Sequence, residues 1–208
     1  MKKHAALPDF FVDLHDIDAS IRLDMKYFTG DNFVGAVING YLAERCLLTK
    51  PAALALQRVQ HQLNTFGLGL MVFDAYRPQR AVDHFIEWCG SPGECPTQGR
   101  FFPGLNKKDL FNQGYLIKHS SHSRGSTVDL TIIDLADGLP LDMGTEFDFF
   151  GPESWFDYEH LSGQVRANRL LLQTVMMQHG FVPFHQEWWH FTLDGEPFTD
   201  QYFDLPIT

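Results

Sequence analysis

The sequence predicts an α+β fold in which helices pack on one side of a central antiparallel sheet that carries the site residues. Residues 127–133 alternate polar and apolar side chains, the period of a half-buried strand. Apolar residues from 52 to 66 recur instead at helical spacing. The final third reads as loops, one helix and one strand, without the β–α alternation of a parallel sheet. At 208 residues, we expect one domain spanning 1–208.

The first part of the chain contains a predicted strand, a helix, a second strand and a second helix. Residues 21–27 alternate in the manner of a strand with one buried face. Thr49 and the following Lys-Pro predict the start of a helix over 50–66, with Thr49 as its N-cap. The apolar run 68–73 predicts a central strand, and a second helix is expected from about 78 to 88.

The second part is less regular. Residues 90–114 are rich in Gly, Pro and Asn and predict a long loop with one helical turn near 107–111. The strand over 127–133 is followed by a turn at 134–138. A final strand is expected over 187–193.

An amphipathic helix is predicted over 163–179. Its apolar stripe, interpreted as core, comprises Leu172, Val175, Met176 and His179. Arg166 and Arg169 lie off this stripe.

Composition and charge are those of an ordinary acidic globular protein, 44% hydrophobic and 20% charged. The formal net charge of −10 argues against nucleic acid or an anionic membrane as a partner. No apolar run approaches the roughly 18 residues of a membrane span. Homo-oligomerisation stays open.

The cellular compartment is predicted from the N-terminus and the cysteines. The opening Met-Lys-Lys-His is typical of a signal peptide, but Pro8 comes before any apolar segment. Cys46, Cys89 and Cys95 are an odd number without a paired framework, which favours a reducing compartment. We therefore expect a cytoplasmic protein. The alternative is a periplasmic protein with its export signal removed, in which Cys89 and Cys95 could pair.

The stretch from Ser120 to Asp129 carries the first candidate ligands. His122 and Asp129 are seven residues apart, with Gly125 between them where the backbone can turn sharply. Asp129 leaves its strand on the face opposite the Val/Leu/Ile set, toward the loop that carries His122. Imidazole and carboxylate are ligands of a divalent metal, zinc first. The alternative is a hydrogen-bonded structural pair.

A second segment, Glu187-Trp-Trp-His190, completes the pattern. His190 would give the His/Asp/His set of an open catalytic zinc site. Glu187 could serve as general base toward a metal-bound water. Residues three apart in a regular strand point to opposite faces. Either Glu187 precedes the strand or a bulge re-aims it, and the sequence leaves both open.

The motif Ser-x-His-x-x-Gly-x-x-x-Asp, followed by Glu-Trp-Trp-His, resembles the zinc D-alanyl-D-alanine dipeptidases of the VanX type. These are related more distantly to zinc D,D-carboxypeptidases and to the Hedgehog signalling domain. The resemblance covers nearly the whole chain, and its other segments are Asp24–Tyr27, Asp31–Gly35, Asp74–Pro78 and Met143–Asp148. The order and spacing of these short pieces make the match specific.

The resemblance implies hydrolysis of D-Ala-D-Ala to two D-alanines, in peptidoglycan-precursor turnover or glycopeptide resistance. It implies one zinc ion per chain on His122, Asp129 and His190. Glu187 would act as the base. Arg77, which from its pattern alone is a cation at a strand exit, would hold the oxyanion of a tetrahedral intermediate.

Three further residues are implied in substrate binding. Asp148 would hold the substrate ammonium, Tyr27 would lie at the substrate site, and Ser120 would help to bind the substrate. By pattern alone they are a loop carboxylate, a strand-end aromatic and a loop hydroxyl that caps local backbone.

Two other functions remain open. A D,D- or L,D-carboxypeptidase acting on peptidoglycan stem peptides needs an open groove, whereas a dipeptidase should close that end with Asp148 and Tyr27. A non-catalytic zinc-binding interaction domain is disfavoured because binding alone requires neither Glu187 nor Arg77. The D,D stereochemistry is implied by the resemblance alone.

Overall fold

The structure is a computed structural model in which residues 8–208 are described. Its strands are β1 (Phe11–Asp13), β2 (Arg22–Leu23), β3 (Leu47–Thr49), β4 (Leu68–Asp74), β5 (Thr127–Asp134), β6 (Phe181–Pro183) and β7 (His190–Leu193). Its α-helices are α1 (Leu14–Ile17), α2 (Lys50–Asn64), α3 (Gln79–Gly90), α4 (Gln98–Phe101), α5 (Asp109–Asn112) and α6 (Gly163–Gln178). Single 3₁₀ turns occur at Ser121–Arg124 and Pro152–Ser154.

A five-stranded sheet in the order β2-β4-β5-β7-β6 forms the centre of the fold. The pairs β4–β5, β5–β7 and β6–β7 are antiparallel. Strand β1 pairs with β3 in a separate antiparallel ribbon. The predicted α+β class and antiparallel sheet are confirmed, except that the short edge strand β2 runs parallel to β4.

The two long helices lie on one side of the sheet. Helix α2 contacts β4, α6 contacts β6, and the two helices contact each other. Helix α6 begins at Ser162, whose hydroxyl accepts a hydrogen bond from the Val165 amide at 3.2 Å. At the start of α2, Thr49 lies at the N-cap without a capping bond, because its hydroxyl pairs with Ser126 at 2.7 Å. Both helices lie where the sequence predicts them.

Two predicted strands differ from the structure. The strand expected over 21–27 is only β2. A bulge at Phe73 shifts the register of β4, so the amides of Asp24 and Lys26 pair irregularly with it instead of extending β2. Strand β5 is buried on both faces rather than half-buried, because residues 140–147 and Trp188 lie around Thr131 on the second face.

The structure also tests the predictions for the loop at 90–114, for Arg169 and for the cysteines. The loop at 90–114 contains two short helices, α4 and α5, of which only α5 was predicted. Arg169, predicted off the buried stripe of α6, is itself buried. All three cysteines are free. Within the described residues no helix is long and apolar enough to cross a membrane. The signal-like opening at 1–4 lies outside the described residues.

Candidate metal centre and active site

Three elements bring the predicted ligands together. His122 lies in the 3₁₀ turn before β5, Asp129 lies on β5, and His190 is the first residue of β7. Asp129 and His190 are direct cross-strand partners, so their side chains share one face of the sheet. Gly125 reverses the chain between the turn and β5 with φ of 84°, and an added Cβ there would clash with the Phe11 ring. Only glycine fits this position.

The ligand atoms of the three residues converge on one point. His122 Nε2 lies 3.2 Å from Asp129 Oδ2, His190 Nδ1 lies 3.1 Å from Asp129 Oδ1, and the two imidazole nitrogens are 3.3 Å apart. His122 Nδ1 donates to the Ala75 carbonyl at 2.7 Å. This bond fixes the tautomer that turns the Nε2 lone pair toward the other ligands.

The electrostatics of two of the three ligands, Asp129 and His122, suit a cation. Burial raises the pKa of Asp129, but His122 and His190 outweigh that effect and hold it below its ordinary value. Burial lowers the pKa of His122, which favours the neutral form that binds metal. Although it is close to His190, Asp129 Oδ1 is buried without a hydrogen bond. Two imidazole nitrogens and one carboxylate, with an oxygen that has no hydrogen-bond partner, are a donor set that fits zinc, as the sequence predicts.

Glu187 lies in the turn before β7, so the first of the two open alternatives is the observed one. The His190 amide donates to the Glu187 carbonyl at 3.2 Å, which closes this turn. Glu187 Oε2 is thereby placed 3.5 Å from His190 Nδ1. Burial raises the pKa of Glu187 to about 7, in the range of an effective general base.

Arg77 follows the end of β4 and reaches the same cluster. Its Nε donates to Asp74 Oδ2 at 2.9 Å, and its Nη2 lies 3.5 Å from Asp129 Oδ2. The guanidinium packs over the ring of Tyr27 at 5.0 Å and that of Phe85 at 5.3 Å. Ion pairs and aromatic faces therefore hold this cation in one place beside the candidate metal position.

Two residues that support Arg77 were not predicted. Asp74 is fully buried and faces Asp129 across the sheet because of the bulge at Phe73. Its second oxygen accepts a hydrogen bond from the buried Tyr41 hydroxyl at 2.6 Å. The only signal in the sequence is a carboxylate directly after the apolar run 68–73.

Asp148 and Tyr27 form a polar pair in the same cavity. The Tyr27 hydroxyl donates to Asp148 Oδ2 at 2.8 Å. Asp148 is 4% exposed, and burial raises its pKa well above the ordinary value. Among residues 8–208, Asp148 forms no ion pair with a basic side chain. A buried carboxyl group without a cation is costly, so this site is suited to a cation from outside the chain.

One cavity of about 220 Å³ is lined by all eight predicted site residues: Tyr27, Arg77, Ser120, His122, Asp129, Asp148, Glu187 and His190. The Ser120 hydroxyl also accepts from the His122 amide at 3.3 Å, so the capping alternative is present as well. Aromatic residues that were not predicted complete the walls, namely Phe33, Phe85, Tyr115, Phe150 and Phe184.

Two further histidines, His119 and His185, lie close in sequence to the ligand segments. His119 lines the cavity. His185 instead pairs with Asp157 at 2.9 Å, and both side chains are largely exposed. Neither belongs to the group of three that can hold a metal ion among the described residues.

An α+β fold with a buried His/Asp/His cluster, an adjacent carboxylate and a fixed arginine defines a metal-dependent hydrolase. The comparisons with known proteins give the family. The model of the peptidase family described as D-ala-D-ala dipeptidase matches residues 9–208. The chain belongs to this family.

Its relatives include three curated D-alanyl-D-alanine dipeptidases. The protein from Streptomyces coelicolor is 43% identical over 95% of this chain and 96% of its own length. The relative from Enterococcus faecalis is 37% identical over 95% and 98%, and that from Escherichia coli is 35% identical over 88% and 83%. A solved mutant of the vancomycin resistance D,D-pentapeptidase VanY, in complex with Zn(II), covers 74% of this chain and 77% of its own at 17% identity. Its TM-score of 0.44 is too low to add to the assignment.

Zinc should raise the thermal stability of the protein. A ligand present at about a thousand times its dissociation constant stabilises the folded state by roughly 4 kcal/mol. In a protein of this size each kcal/mol raises Tm by about 2–4 °C. We therefore expect Tm to fall by roughly 10 °C when a chelator removes zinc, as measured by calorimetry. In His122→Ala the chelator should have little effect, and full zinc occupancy in that variant would show that the ligand assignment is wrong.

Proposed function

We propose that the chain is a zinc-dependent D-alanyl-D-alanine dipeptidase that hydrolyses the free dipeptide D-Ala-D-Ala to two D-alanines. Membership of the family supports the reaction, and the D,D stereochemistry rests on that membership. The observation that carries the proposal is Asp148, a buried carboxyl group without a cation, in the cavity of the His/Asp/His cluster. A substrate ammonium is the missing partner.

The metal would be held by His122, Asp129 and His190. When bound, zinc polarises the scissile carbonyl and lowers the pKa of water toward about 7. Glu187 accepts the proton of the attacking water and delivers it to the leaving amine. Arg77 donates hydrogen bonds to the oxygen that becomes negatively charged in the tetrahedral intermediate.

Substrate binding is assigned to Asp148, which holds the amino end of the dipeptide, and to Ser120. Tyr27 occupies Asp148 Oδ2, which leaves Asp148 Oδ1 to accept from the substrate ammonium. Ser120 lies on the turn that carries His122 and contributes its hydroxyl to substrate binding. A zwitterion is thus held at its amino end while the peptide bond faces Glu187 and Arg77.

The size of the cavity favours a dipeptidase over a carboxypeptidase. Pockets for larger ligands commonly measure about 300–1,000 Å³, and this one is smaller, at about 220 Å³. If Asp148 binds the substrate ammonium, the acyl side of a stem peptide would have to continue past Asp148 and Tyr27. Such a peptide would also bury Asp148 against a neutral amide.

The substrate series that tests this function is D-Ala-D-Ala, L-Ala-L-Ala and N-acetyl-D-Ala-D-Ala, with released alanine as the readout. Acetylation removes a charge-assisted hydrogen bond and leaves Asp148 without a partner, at about 1–3 kcal/mol for each effect. We therefore expect kcat/KM to be at least about thirtyfold lower for the acetylated substrate. Asp148→Ala should lower kcat/KM for the free dipeptide, mainly through a higher KM, and narrow this preference. Equal cleavage of both substrates by the native enzyme would favour the carboxypeptidase.

The setting of the enzyme is proposed more broadly. A free dipeptide is its small-molecule partner, and we place it in the cytoplasm because its three cysteines are free. That residues 1–208 form a single domain stays a prediction, supported by one hydrophobic core that includes residues from Phe11 to Ile207.

A further inference from the structure

We propose that Arg169, assisted by its neighbour Asn168, is the positioning residue of the substrate-ammonium site. These residues lie on α6 and, by holding a segment of backbone, place Asp148 in the cavity. The inference rests on the role of Asp148 proposed above. It adds a specificity-determining position on an element that contributes no residue to the cavity.

The contacts of Arg169 are unusual for an arginine because all of them are to backbone carbonyl groups. Its Nε donates to Met143 O at 2.7 Å, its Nη1 to Trp155 O at 2.8 Å and its Nη2 to Glu153 O at 2.7 Å. The side-chain amide of Asn168 donates to Asp142 O at 2.8 Å. Four carbonyls, two at each end of the segment 142–155, are therefore fixed to one helix.

The burial of Arg169 is offset only in part by the nearby Asp142 carboxylate, which raises the arginine pKa less than burial lowers it. Arg169 is 2% exposed and forms no ion pair with a carboxylate of the described chain. Burial lowers its pKa to about 10. A buried guanidinium normally has an acidic partner. Here the N–H groups of the guanidinium instead bind backbone carbonyls and bring the two ends of the segment 142–155 together.

Asp148 lies near the middle of that segment in a conformation that it would not keep alone. Its φ of 61° is the only positive value at a non-glycine residue in the described structure. Such a conformation persists only when the surrounding structure imposes it. Gly144 allows the close approach of α6, since an added Cβ would lie 2.9 Å from a Val165 methyl group. The ring of Phe147 stacks on Phe73 at 5.0 Å and anchors the residue beside Asp148.

Loss of the hydrogen bonds from Arg169 to the segment 142–155 should therefore act through Asp148. With its ends released, the segment can relax the left-handed residue and move the carboxylate away from the substrate ammonium. Arg77 and the metal ligands lie on other elements and should keep their positions.

The segment also contacts the residue after Glu187, since the Trp188 amide donates to Ser154 O at 3.1 Å and its indole N–H to Thr145 Oγ1 at 2.8 Å. These two bonds do not involve Arg169, so they should hold Glu187 in place and confine the movement to the residues around Asp148. The expected change is in substrate binding and amine selectivity rather than in the chemical step.

The test uses Arg169→Gln, with Arg169→Lys as the conservative variant and Arg166→Gln, an exposed arginine on the same helix, as the control. We expect Arg169→Gln to raise KM for D-Ala-D-Ala roughly tenfold to a hundredfold while kcat stays within about threefold. The preference for D-Ala-D-Ala over N-acetyl-D-Ala-D-Ala should fall by a similar factor. Arg169→Lys should recover part of the loss, and Arg166→Gln should resemble the native enzyme.

A double-mutant cycle with Asp148→Ala separates positioning from general destabilisation. If Arg169 acts through Asp148, Arg169→Gln should change KM little once Asp148 has been removed. Full additivity, or a fall in kcat at unchanged KM and preference, would overturn the inference. If Arg169→Gln does not fold, Asn168→Ala, which removes one carbonyl contact, gives the same readouts with a smaller expected effect.

The outcome also distinguishes this inference from the proposed function. If the native enzyme shows no preference for the free amine, both the proposed ammonium site and the role of Arg169 are wrong. If the native enzyme prefers the free amine and Arg169→Gln keeps that preference, only the role of Arg169 is wrong.

Discussion

Glu187→Gln should lower kcat for D-Ala-D-Ala by about 10²–10⁴-fold, the usual contribution of a positioned general base. Glutamine has nearly the same shape but cannot accept the proton of the attacking water. Because Glu187 lies outside the His/Asp/His group, zinc should remain bound at one ion per chain. Alanine release gives kcat, and metal analysis of the same sample gives the zinc content.

Glu159→Gln is the matched control, since Glu159 is an exposed carboxylate in the loop before α6. It should leave both quantities unchanged. Native turnover in Glu187→Gln would assign the base to another group. Loss of zinc from the variant would instead show that Glu187 is a ligand.

Arg77→Ala should lower kcat by about 10²–10³-fold, as does removal of a donor to a developing oxyanion in other hydrolases. KM should change much less, because the contact strengthens as negative charge forms on the substrate oxygen. The steady-state parameters for D-Ala-D-Ala test this directly. A large rise in KM at unchanged kcat would assign Arg77 to substrate binding instead.

Stability must be measured alongside, because Arg77 is the ion-pair partner of buried Asp74. Removing one member of a buried pair can cost about 3–5 kcal/mol. Arg77→Lys retains a charge near Asp74 but loses the fork of donors, so it should recover stability more fully than turnover. Arg80→Ala, which removes an exposed pair with Asp204, controls for the loss of a positive charge.

The parts of the site that the sequence predicted are those with local patterns. His122 and Asp129 are linked by a short turn and a strand whose alternation fixes the direction of Asp129. Glu187 and His190 are close in sequence, but the turn that aims both at the cavity has no periodicity, so two alternatives remained. The roles of Arg77 and Asp148 came from family resemblance, since each by itself resembles a surface charge.

What the sequence did not predict depends on contacts between distant segments. Arg169 has the helical spacing of the buried stripe, three residues before Leu172 and seven before Met176, but its charge is typical of a solvent-facing residue. Its partners are backbone carbonyls, which carry no side-chain signature. Tyr41 and Asp74 meet only after the bulge at Phe73 has turned the carboxylate inward. The burial of the second face of β5 was not predicted either, because the segment 140–147 beside it has no regular secondary structure.

The pairing of Asp129 with His190 across β5 and β7 also bears on the order in which the enzyme matures. Glu187 and His190 enter the site only when β7, the last strand along the chain, docks between β5 and β6. During synthesis, a chain whose earlier strands have already paired holds only two of the three proposed metal ligands and lacks the proposed base. With these proposed residues, hydrolysis of the dipeptide can begin only after the C-terminal strand has been made and incorporated, and a chain without that strand should carry no activity.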